Sequence, residues 1–277
     1  MGRVVRTLPE GDAVVGVTSL ANMIYVLRSK ECGQIEVYDI ITYRFQCCLS
    51  LPNARLFADM TSCEHFLCVY IADHGADCVH RLDVGLGLQG SITQWVVSDK
   101  PSGLSVNTAH NVIVTFSSVR KIKEFSSHGE VIRKFAFPDN VINPWHAIQL
   151  TNSQFIVCHN NHDDSIHKVC MISADGRHIV HSHGGQRGSE TGQYSEPRHL
   201  AVDNHAFVFV ADLNNRRVTL LSPTLNYVRQ VLGRDELKGC PGRLCLDVQR
   251  RRLLVADNDC SCRKDSKRTG RVVVFSV

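Results

Sequence analysis

The chain has 277 residues, of which 43% are hydrophobic and 21% charged, and its formal net charge is +4. This composition excludes a disordered polypeptide, because the apolar fraction is high and the net charge is small. No apolar run approaches the roughly 18 residues of a membrane-spanning helix, and the amino terminus lacks the apolar segment of a secretory signal. We therefore expect a cytoplasmic protein with no membrane partner.

The first pattern along the chain is its cysteine usage. The sequence contains 12 cysteines, none of them spaced as C-x-x-C, and most lie among Val, Leu and Phe. We expect them to be small buried side chains with free thiols, because a cytoplasmic protein rarely keeps disulfides. Cys260 and Cys262 lie in a polar loop and could alternatively form a surface redox pair.

Short apolar runs follow one another along the whole chain, and they repeat in one order: strand, turn, strand, polar loop, strand. This order recurs six times, in segments 16–40, 56–84, 103–127, 146–173, 199–222 and 243–276. The second strand of these units ends near Arg28, Asp73, Ser117, His159, Asp212 and Asp257. Six units at a period near 46 residues predict an all-β, six-bladed β-propeller.

The ends of the chain complete this interpretation. The sixth unit runs out of sequence after its third strand, at 272–277, while an extra apolar run at 3–8 precedes the first unit. We predict that 3–8 is the fourth strand of the last blade, so that no sheet edge is left exposed there. The chain would then be a single monomeric domain with these approximate blades: 9–52, 53–97, 98–140, 141–196, 197–240, and 241–277 with 3–8.

One unit carries a recognisable motif. Residues 185–222, GQRGSETGQYSEPRHLAVDNHAFVFVADLNNRRVTLLS, resemble the NHL repeat: a Gly-rich connector, a Pro, an apolar strand ending in Val-Asp, then V-A-D-x-x-N-x-R. The resemblance covers the chain as a six-fold scheme and about a quarter of it at motif quality. It implies a binding module whose partner is RNA or protein, in some members as the substrate-recognition part of a ubiquitin ligase.

In a propeller, the starts of the inner strands and the loops between the second and third strands share one face, here called the upper face, where ligands commonly bind. At one repeated position near the start of the inner strands we place Gly16, Arg55, Gly103, His146, His199 and Arg243. This ring contains no carboxylate. Trp145 and Arg198 precede two of its members, and Arg216, Arg217 and the loop 263–271 add positive charge.

These residues predict a basic upper face without a cofactor. The predicted binding residues are Arg55, Trp145, His146, Arg198, His199, Arg216, Arg217 and Arg243. Cationic side chains beside an aromatic ring suit an anionic protein surface or single-stranded RNA. Our main hypothesis is therefore a non-enzymatic binding or scaffold module for a protein or RNA partner.

The alternative is a metal-dependent lyase or hydrolase. His146 and His199 occupy the same position in neighbouring blades, which resembles the peptidyl-amidating lyase, a six-bladed propeller that binds zinc through three axial histidines. The ring as placed here offers only two histidines and no third ligand, so the alternative ranks second. No nucleophile motif and no phosphate-binding loop occurs in the sequence.

Overall fold

The structure is a computed structural model that describes residues 2–29, 33–51, 56–85, 90–161, 165–260 and 268–277. These residues contain 25 β-strands and no helix, and thus no helix among them could cross a membrane. The strands form six antiparallel sheets, and the predicted all-β, six-bladed propeller is confirmed.

Within each blade the chain passes from an inner strand at the axis to an outer strand at the rim. Blade one contains β3 (Val14–Leu20), β4 (Met23–Arg28), β5 (Gln34–Asp39) and β6 (Phe45–Ser50). Blade two contains β7 (Phe57–Cys63), β8 (Cys68–Asp73), β9 (Cys78–Asp83) and β10 (Ile92–Val96). Blade three contains β11 (Gly103–Val106), β12 (Val112–Phe116), β13 (Lys121–Phe125) and β14 (Val131–Ala136).

The second half of the ring repeats this order. Blade four contains β15 (Pro144–Gln149), β16 (Phe155–Asn160), β17 (His167–Ile172) and β18 (Ile179–Gly185). Blade five contains β19 (Pro197–Val202), β20 (Val208–Asp212), β21 (Arg217–Leu221) and β22 (Tyr227–Leu232). Blade six contains β23 (Cys240–Asp247), β24 (Arg252–Asn258), β25 (Thr269–Ser276), and the early strands β1 (Val4–Thr7) and β2 (Gly11–Asp12).

The ring is closed by the first strand of the chain, as predicted. β1 pairs antiparallel with β25, and the Leu8 N–H donates to Val272 O at 2.8 Å. Arg28 lies buried beside this seam and donates to Asp12 O, Gly270 O and Pro9 O at 2.7–2.9 Å. One guanidinium therefore ties blade one, the amino-terminal segment and blade six together.

The hydrophobic core is divided among the gaps between blades. Each of six apolar clusters joins two neighbouring blades, for example Leu27 and Val69 between blades one and two. The inner strands contact one another in order, and β23 contacts β3. Each blade buries its faces against its neighbours, so the axis is framed by a rigid ring of inner strands.

In blades five and six, the aspartate that ends the second strand binds the connector that precedes the inner strand. Asp212 Oδ1 accepts the Ser195 N–H at 2.7 Å, and Asp212 Oδ2 accepts Arg217 Nε at 2.7 Å. Asp257 accepts the N–H groups of Lys238 and Gly239 and Arg271 Nε. In both blades a buried carboxylate is neutralised by the arginine at the start of the third strand.

The cysteines follow the prediction in part. Cys63, Cys68, Cys78, Cys158 and Cys170 are buried free thiols, as expected. Cys240 and Cys260, however, form a disulfide, so the expectation of free thiols is wrong for this pair. Cys260 is thereby paired with the start of the inner strand of blade six, and the proposed partner Cys262 lies outside the described residues.

Candidate functional site: the axial cluster and cavity

A β-bulge near the start of the inner strand sets the geometry of the axis. The pairing of first and second strands skips one residue in five blades: Val15, Ala58, Trp145, Arg198 and Gly242. A bulge re-aims the side chains around it. The residue after the skipped one then occupies the repeated ring position.

The structure corrects the membership of this ring. Register places Gly16, Asp59, Gly103, His146, His199 and Arg243 opposite equivalent residues of the second strands. Blade two therefore contributes Asp59 where we expected Arg55, and Arg55 itself lies outside the described residues. The prediction that the ring has no carboxylate is wrong. Asp59 precedes Asp73 by 14 residues, as Arg243 precedes Asp257 by 14, whereas Arg55 precedes Asp73 by 18.

Four ring residues meet across the axis and are here called the axial cluster: Asp59, His146, His199 and Arg243. The two imidazole rings are stacked with centroids 3.7 Å apart, and His199 Nε2 lies 3.3 Å from Asp59 Oδ2. Arg243 Nε lies 3.1 Å from Asp59 Oδ1. Arg243 of blade six thus contacts Asp59 of blade two, although blade one lies between these two blades. Blade one has Gly16 at the ring position, where a Cβ atom would approach Met60 Cβ to 2.6 Å.

The hydrogen bonds define which ring nitrogens carry protons. His146 Nε2 lies 2.9 Å from Leu104 O, and because a carbonyl can only accept, this nitrogen carries the proton. The Leu244 N–H donates to His199 Nδ1 at 3.3 Å, which leaves the His199 proton on Nε2, facing Asp59. His146 Nδ1 is a buried acceptor without a hydrogen-bond partner among the described residues.

Burial and the neighbouring charges set the ionisation of the cluster. Burial lowers the pKa of His146 to about 3, and burial also lowers the pKa of His199, partly offset by Asp59. Burial would raise the pKa of Asp59, but His199 and Arg243 outweigh it and hold that pKa below its ordinary value. At neutral pH the cluster therefore contains a carboxylate, a guanidinium and two neutral imidazoles.

Below the axial cluster the inner strands enclose a cavity of about 670 Å³. His146 and His199 line the end nearest the cluster, and the turns after the inner strands, including Ala21, Glu64 and Arg250, line the opposite end. Hydroxyl groups form part of its wall: Thr18 Oγ1 lies 2.8 Å from Ser62 Oγ. A space of this volume, lined by both polar and apolar groups, lies within the size range of small-molecule sites.

The remaining predicted residues lie above the cluster and do not line the cavity. The Arg198 guanidinium stacks on Trp145, 3.4 Å from the ring centroid, and Trp145 Nε1 donates to Asn160 Oδ1 at 2.6 Å. Arg217 binds Asp212 and the carbonyls of the Gly-rich connector, so its charge is internal. Arg216 lies in the turn that precedes Arg217 and is partly buried. Residues 263–267 of the basic loop lie outside the described residues.

Under the second hypothesis, this ring would bind a metal ion. Asp59, His146 and His199 lie close enough together to bind one ion, so the missing third ligand exists. The arrangement nevertheless does not fit a metal centre. A ligand lone pair lies in the imidazole plane, and stacked rings cannot direct two such lone pairs at one point. Both Nε2 atoms carry protons toward acceptors, and Arg243 already neutralises Asp59.

Comparisons with known proteins give the fold and no family. No family model matches the chain, no curated protein matches it, and membership of the NHL-repeat family stays a prediction. Virginiamycin B lyase from Staphylococcus aureus matches with a TM-score of 0.64 at 9% identity, covering 100% of both chains. PQQ-bound aldose sugar dehydrogenase from Streptomyces coelicolor matches with a TM-score of 0.68 at 12% identity, covering 100% of this chain and 98% of that one.

A third similar structure is hydrazine synthase from Kuenenia stuttgartiensis, with a TM-score of 0.63 and 13% identity over 89% of this chain and 93% of that one. At these identities the likeness shows that the chain shares the propeller fold with these enzymes.

Proposed function

We propose that this propeller is an enzyme of the lyase or hydrolase class that acts on a small polar molecule held in the axial cavity. The proposal is carried by His146, which lines the cavity and whose Nδ1 is unpartnered among the described residues. Propellers of similar fold include a lyase. The proposal retains the enzymatic part of our second hypothesis and omits its metal ion.

The chemistry that His146 offers is that of a general base. Its Nε2–H is fixed on Leu104 O, which orients the ring in the way that a third group orients the base of a catalytic triad. The Nδ1 lone pair is the acceptor that remains for a proton from a bound molecule, and it acts as a weak base because burial lowers the pKa of His146 to about 3. Asp59 Oδ2 lies 3.9 Å from His146 Nε2 and would stabilise the positive charge that the ring acquires.

A lyase and a hydrolase use this base differently. In an elimination, Nδ1 takes a proton from carbon, the electron pair forms a double bond, and the leaving group departs. In a hydrolysis, Nδ1 takes a proton from the water that attacks the substrate carbonyl. The hydroxyl groups on the cavity wall are placed to bind polar atoms of the substrate.

The test is turnover by wild type and by His146→Gln. Ester, lactone and peptide substrates would be screened for a new carboxylate or a new double bond, with His205→Gln as the control, because His205 is exposed away from the cavity. Loss of the base should lower kcat about 10²-fold or more. Equal turnover by wild type and His146→Gln would refute the role of His146. Ligand binding without turnover would refute the enzymatic proposal.

A second candidate, recognition of an anionic protein or RNA, is supported by Arg198 alone. Within the described residues its guanidinium makes no hydrogen bond and no ion pair, only the stack on Trp145. Burial and Arg243 lower the pKa of Arg198 to about 10, so it is charged at neutral pH and available to an anion. RNA affinity that falls steeply with salt in wild type and less steeply in Arg198→Gln would support this candidate.

A further inference from the structure

In blade two, the residue opposite the buried aspartate at the end of the second strand differs from the equivalent residue of blades five and six. In blades five and six the residue opposite the turn aspartate is an arginine, Arg217 or Arg271. In blade two, Asp73 lies opposite Cys78. His80 follows two residues later, on the same face of the strand. The guanidinium of the common pattern is thus replaced by a thiol and an imidazole.

These three side chains converge on one point. Asp73 Oδ2 lies 3.3 Å from His80 Nε2, and Cys78 Sγ lies 3.5 Å from the same nitrogen. All three residues are buried, with at most 2% of their surface exposed. A Cys-His-Asp relay would place the thiol and the carboxylate on opposite ring nitrogens. Here both contact Nε2, which excludes a relay and leaves three ligand atoms facing a common centre.

The separations agree with those of a tetrahedral zinc ion. Zinc bonds of about 2.0–2.1 Å to nitrogen or oxygen and about 2.3 Å to sulfur separate N from O by about 3.3 Å and N from S by about 3.5 Å. The pairing of soft thiolate with imidazole favours zinc over magnesium or calcium.

The surroundings hold the carboxylate in place. Asp73 Oδ1 accepts the N–H groups of Leu56, Gly75 and Ala76 at 3.0–3.1 Å, which leaves Oδ2 directed at His80. Such outer hydrogen bonds commonly orient metal ligands.

We propose that Asp73, Cys78 and His80 form a structural zinc site beneath the upper face of blade two, with a water as the fourth ligand. On binding, the Cys78 S–H bond breaks, its proton passes to solvent, and the thiolate binds the ion.

Cobalt substitution tests the site, because a thiolate bound to Co²⁺ gives a near-ultraviolet charge-transfer band. Apo protein titrated with Co²⁺ should show this band at one equivalent, and Cys78→Ser should abolish it. Cys170→Ser is the matched control: Cys170 is also buried, and its Sγ lies 3.2 Å from His159 Nε2, but no third ligand completes a group there in the described residues. Absence of the band, or its loss in Cys170→Ser alone, would overturn the proposal.

A second measurement needs no variant. Crystals of the zinc-loaded wild type should give an anomalous peak at the zinc edge about 2.3 Å from Cys78 Sγ. An anomalous map without that peak would refute the site even if Cys78→Ser failed to fold. The outcome is independent of the proposed function, because the axial cluster contains no cysteine.

Discussion

The ion pair across the axis offers a quantitative test of the axial cluster. Asp59 of blade two and Arg243 of blade six lie on either side of blade one, with Asp59 Oδ1 3.1 Å from Arg243 Nε and side-chain exposures of 1% and 14%. We predict that both Asp59→Asn and Arg243→Met destabilise the fold strongly. Removing one partner of a buried pair typically costs about 3–5 kcal/mol, because the other charge stays buried without compensation.

The two single variants should differ in size. Arg243→Met strands a fully buried carboxylate and should cost about 4–5 kcal/mol, whereas Asp59→Asn strands a guanidinium with some access to water and should cost about 3 kcal/mol. The double variant removes both charges, so its loss should be smaller than the sum of the two losses by about 2–3 kcal/mol.

Urea unfolding of the four proteins of this cycle measures each free energy. Arg250→Met with Asp247→Asn is a suitable comparison cycle, because that pair, at 3.1 Å, is more exposed at its arginine and should couple by about 1 kcal/mol or less. Additivity within about 0.5 kcal/mol at Asp59 and Arg243 would refute the claim that the charges are coupled through the axis.

Three further predictions follow from burial, closure and cross-linking. Burial lowers the pKa of His146 to about 3 and that of His159 to about 4. The unfolded chain therefore binds more protons below pH 6.5, and stability present at pH 7 should fall by about 2 kcal/mol per histidine at pH 5. His159→Gln should flatten that loss, and an unchanged slope in urea titrations would contradict it. Deleting residues 1–8 removes β1 and the buried Leu8 and should lower Tm markedly; an unchanged Tm would show that the ring closes by other contacts. Replacing Cys240 and Cys260 by alanine opens a loop of 20 residues and should cost about 3 kcal/mol; equal stability by chemical denaturation would refute this.

The fold could be predicted from sequence because every blade repeats the same short signals. Alternating apolar residues, a polar turn and a period near 46 residues are local properties, and closure followed from counting strands at the two ends.

The site was harder to predict because its contacts join blades that are distant in sequence. Asp59 and Arg243 lie 184 positions apart and meet only once the ring closes. Blades four, five and six begin the inner strand near Pro144, Pro197 and Pro241, whereas blade two has Phe57 at this position. Without the proline, the motif did not locate the start of the inner strand of blade two, and Arg55 was placed in the ring. Counting back from Asp73 would have identified Asp59.

The six blades also differ in which charged residues stand at the end of the second strand and opposite it. Blades five and six keep both the aspartate and its arginine, whereas blades three and four have Phe116 and His159 opposite Lys121 and Lys168. Blade one reverses the signs, with buried Arg28 bound to Glu36 at 2.9 Å. Blade two alone keeps the aspartate and has Cys78 in place of the basic residue. This departure from the repeat is why blade two, and not the more conspicuous histidine pair at the axis, is the place to look for a metal ion.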